Sequence, residues 1–318
     1  MRTLLCFLLL GVATTLAACD QAAPPPPLEE ALVVTAGLEG GEVGVWRIPL
    51  GAPSERTVLF GLQDLRNADP ELRGGVRHLS ASGDFVAVDV VVGPHVNAVA
   101  VYTESVGLRR LPVLEASLID PRISPSGRRL LATQTSWGGA AGNVLVETDR
   151  TTPVRVDDLT RVGVGASDGS FRVQGSGLEW GQTDDELVAV FSDTTHADYP
   201  ESPPSHIYAV DPVTLAPRRR LTETPLPTRP QALMPGGGGA AYNQDGSLWA
   251  VRPLGSAPRR VAASTEVVRS GWSRGGLFWY VDQRGANDGY DVTIHVFDES
   301  WSETTFGPFT YVGDVGFQ

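Results

Sequence analysis

"RISPSGRRLLATQTS" (residues 122–136), followed by "NVLVETDRTTPVRVDDL" (143–159), decides the fold. Apolar runs of strand length are separated by Ser-Pro-Ser-Gly, a combination that turns the chain sharply, and then by further polar turn residues. The same order returns in "LEWGQTDDELVAVFS" (178–192) followed by "HIYAVDPVTLAPRRRLTET" (206–224). Each unit reads strand, tight polar turn, strand, loop, strand, short turn, strand.

Weaker copies lie on both sides: "VRHLSASGDFVAVDV" with "NAVAVYTESVGLRRLPV", "ALMPGGGGAAYNQ" with "SLWAVRPLGSAPRRVAA", and "VVRSGWSRGGLFWYVD" with "VTIHVFDESWSETTF". Their tight turns start near residues 80, 124, 182, 235 and 273, a spacing of 38 to 58 residues. Four strands per repeat at this period describe the blade of a β-propeller. The 36 glycines and 24 prolines suit a chain of many short strands, and only "LQDLRNADPEL" (62–72) has a helical pattern. The fold class is therefore all-β.

"ISPSGRRL" (123–130), "RRRLT" (218–222) and, in part, "GWSRGGLFW" (271–279) resemble the repeats of the TolB-like, WD-like propeller family, whose blades carry a W-S-P-D-G core and end in Leu-Thr. The resemblance spans about residues 31–318 and implies a propeller without implying an activity, since propellers host unrelated functions. "ALVVTAG", "VGVWRI" and "RTVLF" supply three strands of a first blade, and the C-terminal "FTYVGDVGF" (309–317) supplies the missing one. Pairing the chain ends removes two exposed sheet edges and gives six blades. "RVGVGASDGSFRVQGSG" (161–177) is either a hairpin insertion or part of a seventh blade.

Ahead of the propeller, Arg2 precedes an apolar run from Leu4 to Ala13, too short for the roughly 20 residues of a membrane span and of signal-peptide proportions. "LAAC", Leu16–Cys19, resembles the lipobox of bacterial lipoproteins. The resemblance implies a signal peptide over 1–18, a diacylglycerol on the Cys19 thiol and anchorage in a bacterial membrane, facing the periplasm or the cell exterior. A plain signal peptide cut after "TLAA" is the alternative. Residues 19–30 contain Pro24–Pro27 and read as a polyproline tether, with the propeller over 31–318.

Cys6 leaves with the signal and Cys19 takes the lipid, so the mature domain has no thiol for a disulfide, a metal or covalent catalysis. The formal charge is −12, or −13 without Arg2, and there is no lysine. That balance opposes binding to nucleic acid or to an anionic surface. The arginine runs "LRR", "GRR" and "PRRR" read as solvated strand edges. No motif points to a cofactor.

"GASDG" (165–169) satisfies the nucleophile-elbow pattern around Ser167, but the residues after it form strand and turn where a hydrolase needs a helix. His78, His95, His196, His206 and His295 show no metal-ligand spacing, and His206 and His295 sit in apolar strands as hydrogen-bonded structural residues. Asp282, Asn287, Asp288 and Asp291 in "DQRGANDGYD" (282–291) are oxygen ligands for a weak calcium candidate, without the EF-hand spacing.

Loop length points elsewhere. The turns between first and second and between third and fourth strands are short. The second-to-third connections "SWGGAAG" (136–142), "SDTTHADYPESPPS" (192–205) and "DQRGANDGYD" are long, and they share a face in a propeller. They carry Trp137, His196, Tyr199, Arg284 and Tyr290, residue types that anchor interfaces. The expectation is a monomeric, non-catalytic envelope propeller that presents this face to a protein, peptide or cell-wall partner. The alternative is an enzyme, small-ligand or metal binder that uses the central channel.

Overall fold

The computed structural model describes residues 31–37, 43–94, 96–111, 117–135, 142–148, 157–158, 171–193, 205–214, 216–228, 230–263, 267–286 and 289–318. They form six four-stranded antiparallel sheets. Blade 1 orders Tyr311–Phe317, Ala31–Gly37, Val43–Pro49 and Thr57–Gly61, so the last strand of the chain is the first of this blade. Blades 2 to 6 are consecutive in sequence and begin with Val76–Ser82, Ser117–Ile123, Phe171–Trp180, Ala232–Leu233 and Val267–Trp272. Each blade packs on the next, and blade 6 packs back on blade 1.

Strand periodicity explains why the apolar runs are continuous rather than alternating. Successive side chains point to opposite faces of a sheet, and a blade is covered on both faces by its neighbours. In the second strand of blade 4, Leu187, Ala189 and Phe191 pack toward blade 3 while Val188 and Val190 pack toward blade 5. In blade 1, Val33 packs toward blade 2, and Leu32 and Val34 pack toward blade 6. Six apolar clusters result, one in each gap between consecutive blades. Each such side chain contributes about 1.5–3 kcal/mol on burial.

The turns carry specific chemistry. Gly127 in "SPSG" has φ +72°, and a Cβ there would lie 2.2 Å from the Phe85 ring of blade 2, so only glycine fits. Asp184, in the corresponding turn of blade 4, accepts hydrogen bonds from Ser124 Oγ (3.0 Å), Ser126 N (3.0 Å) and Ser126 Oγ. The one α-helix among the described residues, Leu62–Ala68, ends four residues short of the helical pattern's end at 72. The residue before a proline avoids the α region, and Asp69 before Pro70 is extended, with ψ 120°.

Two sequence readings are corrected. Residues 171–177 extend the first strand of blade 4 and found no seventh blade. The remainder of 161–177 lies outside the described residues. "DQRGANDGYD" is not a long loop: the strands Phe278–Ala286 and Gly289–Phe297 stay paired to Ala286↔Gly289, leaving only residues 287 and 288 between them. Continued pairing satisfies backbone groups that a loop would leave to solvent.

Candidate functional site

The first strands of all six blades line a central cavity of about 440 Å³. In five blades that strand bulges against its neighbour: at Gly313 in blade 1, Arg77–His78 in blade 2, Asp120–Pro121 in blade 3, between Val173 and Leu178 in blade 4, and at Val268 in blade 6. A bulge re-aims side chains that strict alternation would send into the gaps between blades. Three acids, Asp120, Glu179 and Asp314, and three arginines, Arg122, Arg269 and Arg274, line the channel, Arg274 from the turn that follows the first strand of blade 6.

These charges are tied to one another and to the backbone. Arg122 donates from Nη2 to Asp120 Oδ2 (2.6 Å) and from Nη1 to the Leu178 carbonyl, with Nε 3.8 Å from Glu179 Oε2. Arg269 Nη1 lies 3.3 Å from Asp314 Oδ2, which also accepts from Leu79 N at 2.9 Å. Arg274 Nη1 donates to the Gly181 carbonyl of blade 4 at 2.8 Å. Burial pushes the Asp314 carboxyl above its ordinary pKa, and Arg269 offsets only part of that cost. Burial does the same to Glu179 against partial compensation from Arg122. For Arg122 burial opposes the charge, but Asp120 and Glu179 outweigh it and hold the guanidinium charged.

A second polar group stands beside this lining. Asp89, fully buried in blade 2, accepts from His78 N (2.7 Å) and Asp120 N (3.2 Å) and pairs with His78 Nδ1 at 2.7 Å. The Asp89 hydrogen bond raises the imidazole pKa against the opposing effect of burial. Asp120 has φ +53°, a left-handed conformation that aspartate tolerates better than most residues. One buried carboxylate thus holds both the bulge at His78 and the bulge at Asp120.

The sequence-derived candidates fare unevenly. Cys19, Trp137, His196, Tyr199, Ser167, Asn287, Asp288 and His95 lie outside the described residues. Arg284 and Tyr290 sit in the hairpin ladder, opposite Asp291 and Gly285. Asp282 is buried opposite Thr293, with its carboxylate 3.9 Å from His295, while Asp291 is exposed. Among the described residues no three His, Cys, Asp or Glu side chains group to hold a metal. His206 pairs with Thr222 Oγ1 at 3.2 Å and His295 with Glu303 at 2.5 Å, the hydrogen-bonded roles expected of them. The fourth strand Pro217–Arg220 is exposed throughout, as a solvated edge should be.

Sequence reasoning missed the channel acids and the buried Asp89 beside them, although a signal for Asp314 and Asp89 was present. Asp89 and Asp314 each interrupt an apolar strand, "FVAVDVVVG" and "YVGDVGF". An acid in a strand buried on both faces needs a specific partner.

TolB from Acinetobacter baumannii superposes with a TM-score of 0.55 at 12% identity, over 90% of this chain and 65% of that one. A protein of Agrobacterium tumefaciens described as a TolB gives a TM-score of 0.52 at 14% identity, over 91% of this chain and 98% of its own. The likeness is one of fold. No family model matches the sequence, and no curated protein does either. The chain spans less than two thirds of the Acinetobacter protein's length. No helix among the described residues is long and apolar enough to cross a membrane.

Proposed function

We propose that this TolB-like propeller is a non-catalytic binding protein of the bacterial cell envelope, held to a membrane by lipid on Cys19 and presenting one face of the ring to a protein, peptide or cell-wall partner. The observation that carries the reading is the closed ring with a channel of fixed charges. Its acids and arginines are locked by one another and by backbone groups, so they offer preorganised electrostatic contacts to a partner without reorganisation. The "LAAC" motif and the proline tether supply the anchor, since two or three acyl chains hold a protein durably where one does not.

Fractionation tests the anchor. Cells expressing the wild-type chain should show it in the membrane fraction and labelled by a fatty-acid probe; Cys19→Ala should lose both. Retention of Cys19→Ala in the membrane would overturn the lipid anchor. Crosslinking in intact cells then identifies what the exposed face holds.

A second reading, in which the channel itself takes a small ligand, is favoured by the cavity. Its volume of about 440 Å³ falls within the roughly 300–1,000 Å³ of small-molecule sites.

A further inference from the structure

We propose that the channel binds a small zwitterion, an α-amino acid or short peptide, with its ammonium group on Asp120 and its carboxylate on Arg269. This rests on the channel-binding reading above. Asp120 belongs to blade 3 and Arg269 to blade 6, which face each other across a six-bladed ring. Both side chains line the cavity, and both stand at or beside a bulge that turns the first strand toward it. They are also its most accessible ion-paired groups: the Asp120 side chain is 37% exposed and that of Arg269 34%, against 16% for Arg122, 23% for Glu179 and 13% for Asp314.

Each is oriented yet incompletely used. Arg122 engages Oδ2 of Asp120, and Asp314 engages Nη1 of Arg269. Among the described contacts the second carboxylate oxygen of Asp120 and the other guanidinium nitrogens of Arg269 carry no partner. A carboxylate held by a neighbouring arginine is a ready acceptor for an ammonium group, and a guanidinium is suited by its fork of donors to a carboxylate.

Charge balance selects the ligand class. Three acids against three arginines give the described lining no net sign, which disfavours a purely cationic or purely anionic guest and favours one that carries both. Val268, 52% exposed beside Arg269, offers an apolar contact for the aliphatic part between the two charged ends.

Calorimetric titration of the full-length protein in detergent tests this, with L-alanyl-L-alanine as the probe beside its N-acetyl and C-amide forms. The free dipeptide should bind and raise the melting temperature, and each blocked form should bind about tenfold more weakly or worse, the loss expected for one charge-assisted hydrogen bond. Asp120→Asn, a residue equally tolerant of positive φ, should abolish discrimination against the N-acetyl form and keep that against the amide. Arg269→Gln should do the converse, with Arg269→Lys intermediate. No binding of the dipeptide at millimolar concentration, equal binding of the blocked forms, or variants that leave both discriminations intact would overturn the assignment. Membrane retention does not depend on these two residues, so it reports separately on the lipid-anchored envelope reading.

Discussion

Ala31 and Gln318 exchange both of their backbone hydrogen bonds, Ala31 N–H to the Gln318 carbonyl and Gln318 N–H to the Ala31 carbonyl, each at 3.0 Å. They begin a ladder that runs through Leu32↔Phe317 to Gly37↔Tyr311 and makes the C-terminal strand the innermost of blade 1. Deleting residues 311–318 should expose the edge of Ala31–Gly37 and open the cluster between blades 6 and 1. The truncated chain should aggregate in size-exclusion chromatography, whereas removal of residues 1–30 should leave the melting temperature within a few degrees of the parent.

Trp180 tests the gap between blades 3 and 4. Its side chain is fully buried, and its indole N–H donates to the Arg122 carbonyl at 2.8 Å. Trp180→Ala should lower the unfolding free energy by about 3–5 kcal/mol in denaturant titration. A loss under about 1 kcal/mol would show that this gap contributes little to cohesion.

His78 sets a stability change on the alkaline side. Its folded pKa is raised above 6.5, first by the hydrogen bond to Asp89, with burial and Arg269 opposing and Asp314 assisting. A raised folded pKa means that this contribution is complete below 6.5 and is lost as pH rises through the folded value. Thermal melts from pH 6 upward should therefore fall in wild type and flatten in His78→Gln.

Asp184 acts with the opposite sign. Burial alone would raise its pKa, but the bonds from Ser126 and Ser124 and the charge of Arg129 outweigh it and hold the carboxyl below 3.8. Its contribution is present above 3.8 and lost as pH falls through the lower folded value. Asp184→Asn should melt lower than wild type at neutral pH, and the two curves should converge in acid.

For the outer face, Trp137→Ala, Tyr199→Ala and Tyr290→Ala combined should weaken partner crosslinking in intact cells. An unchanged crosslinking profile would move the partner site away from these positions.

Much of this architecture was legible without coordinates because a blade's second and third strands are buried on both faces and so read as unbroken apolar runs, as in "ALVVTAG" and "LVAVF". The turn at Ser124–Gly127 was equally plain, since proline, serine and glycine have local conformational preferences that neighbours do not override. The hairpin at 282–291 was misread because Asp, Asn and Gly mark a reversal in the chain without saying how far the ladder runs before it.

Local chemistry thus determined the all-β class, the repeat and the pairing of the chain ends, because strand length, turn residues and period-two burial are written in neighbouring residues, while the choice of six blades over seven came from the sheet topology. Only the tertiary structure decided which charges share the channel. Asp120, Glu179, Arg269 and Asp314 come from four different blades, and bulges in three of their strands break the alternation from which a side chain's direction could be read. A bulge at Gly313 does the same for the fourth. The meeting of Arg269 with Asp314 joins blade 6 to blade 1 and follows from ring closure, which no local pattern encodes.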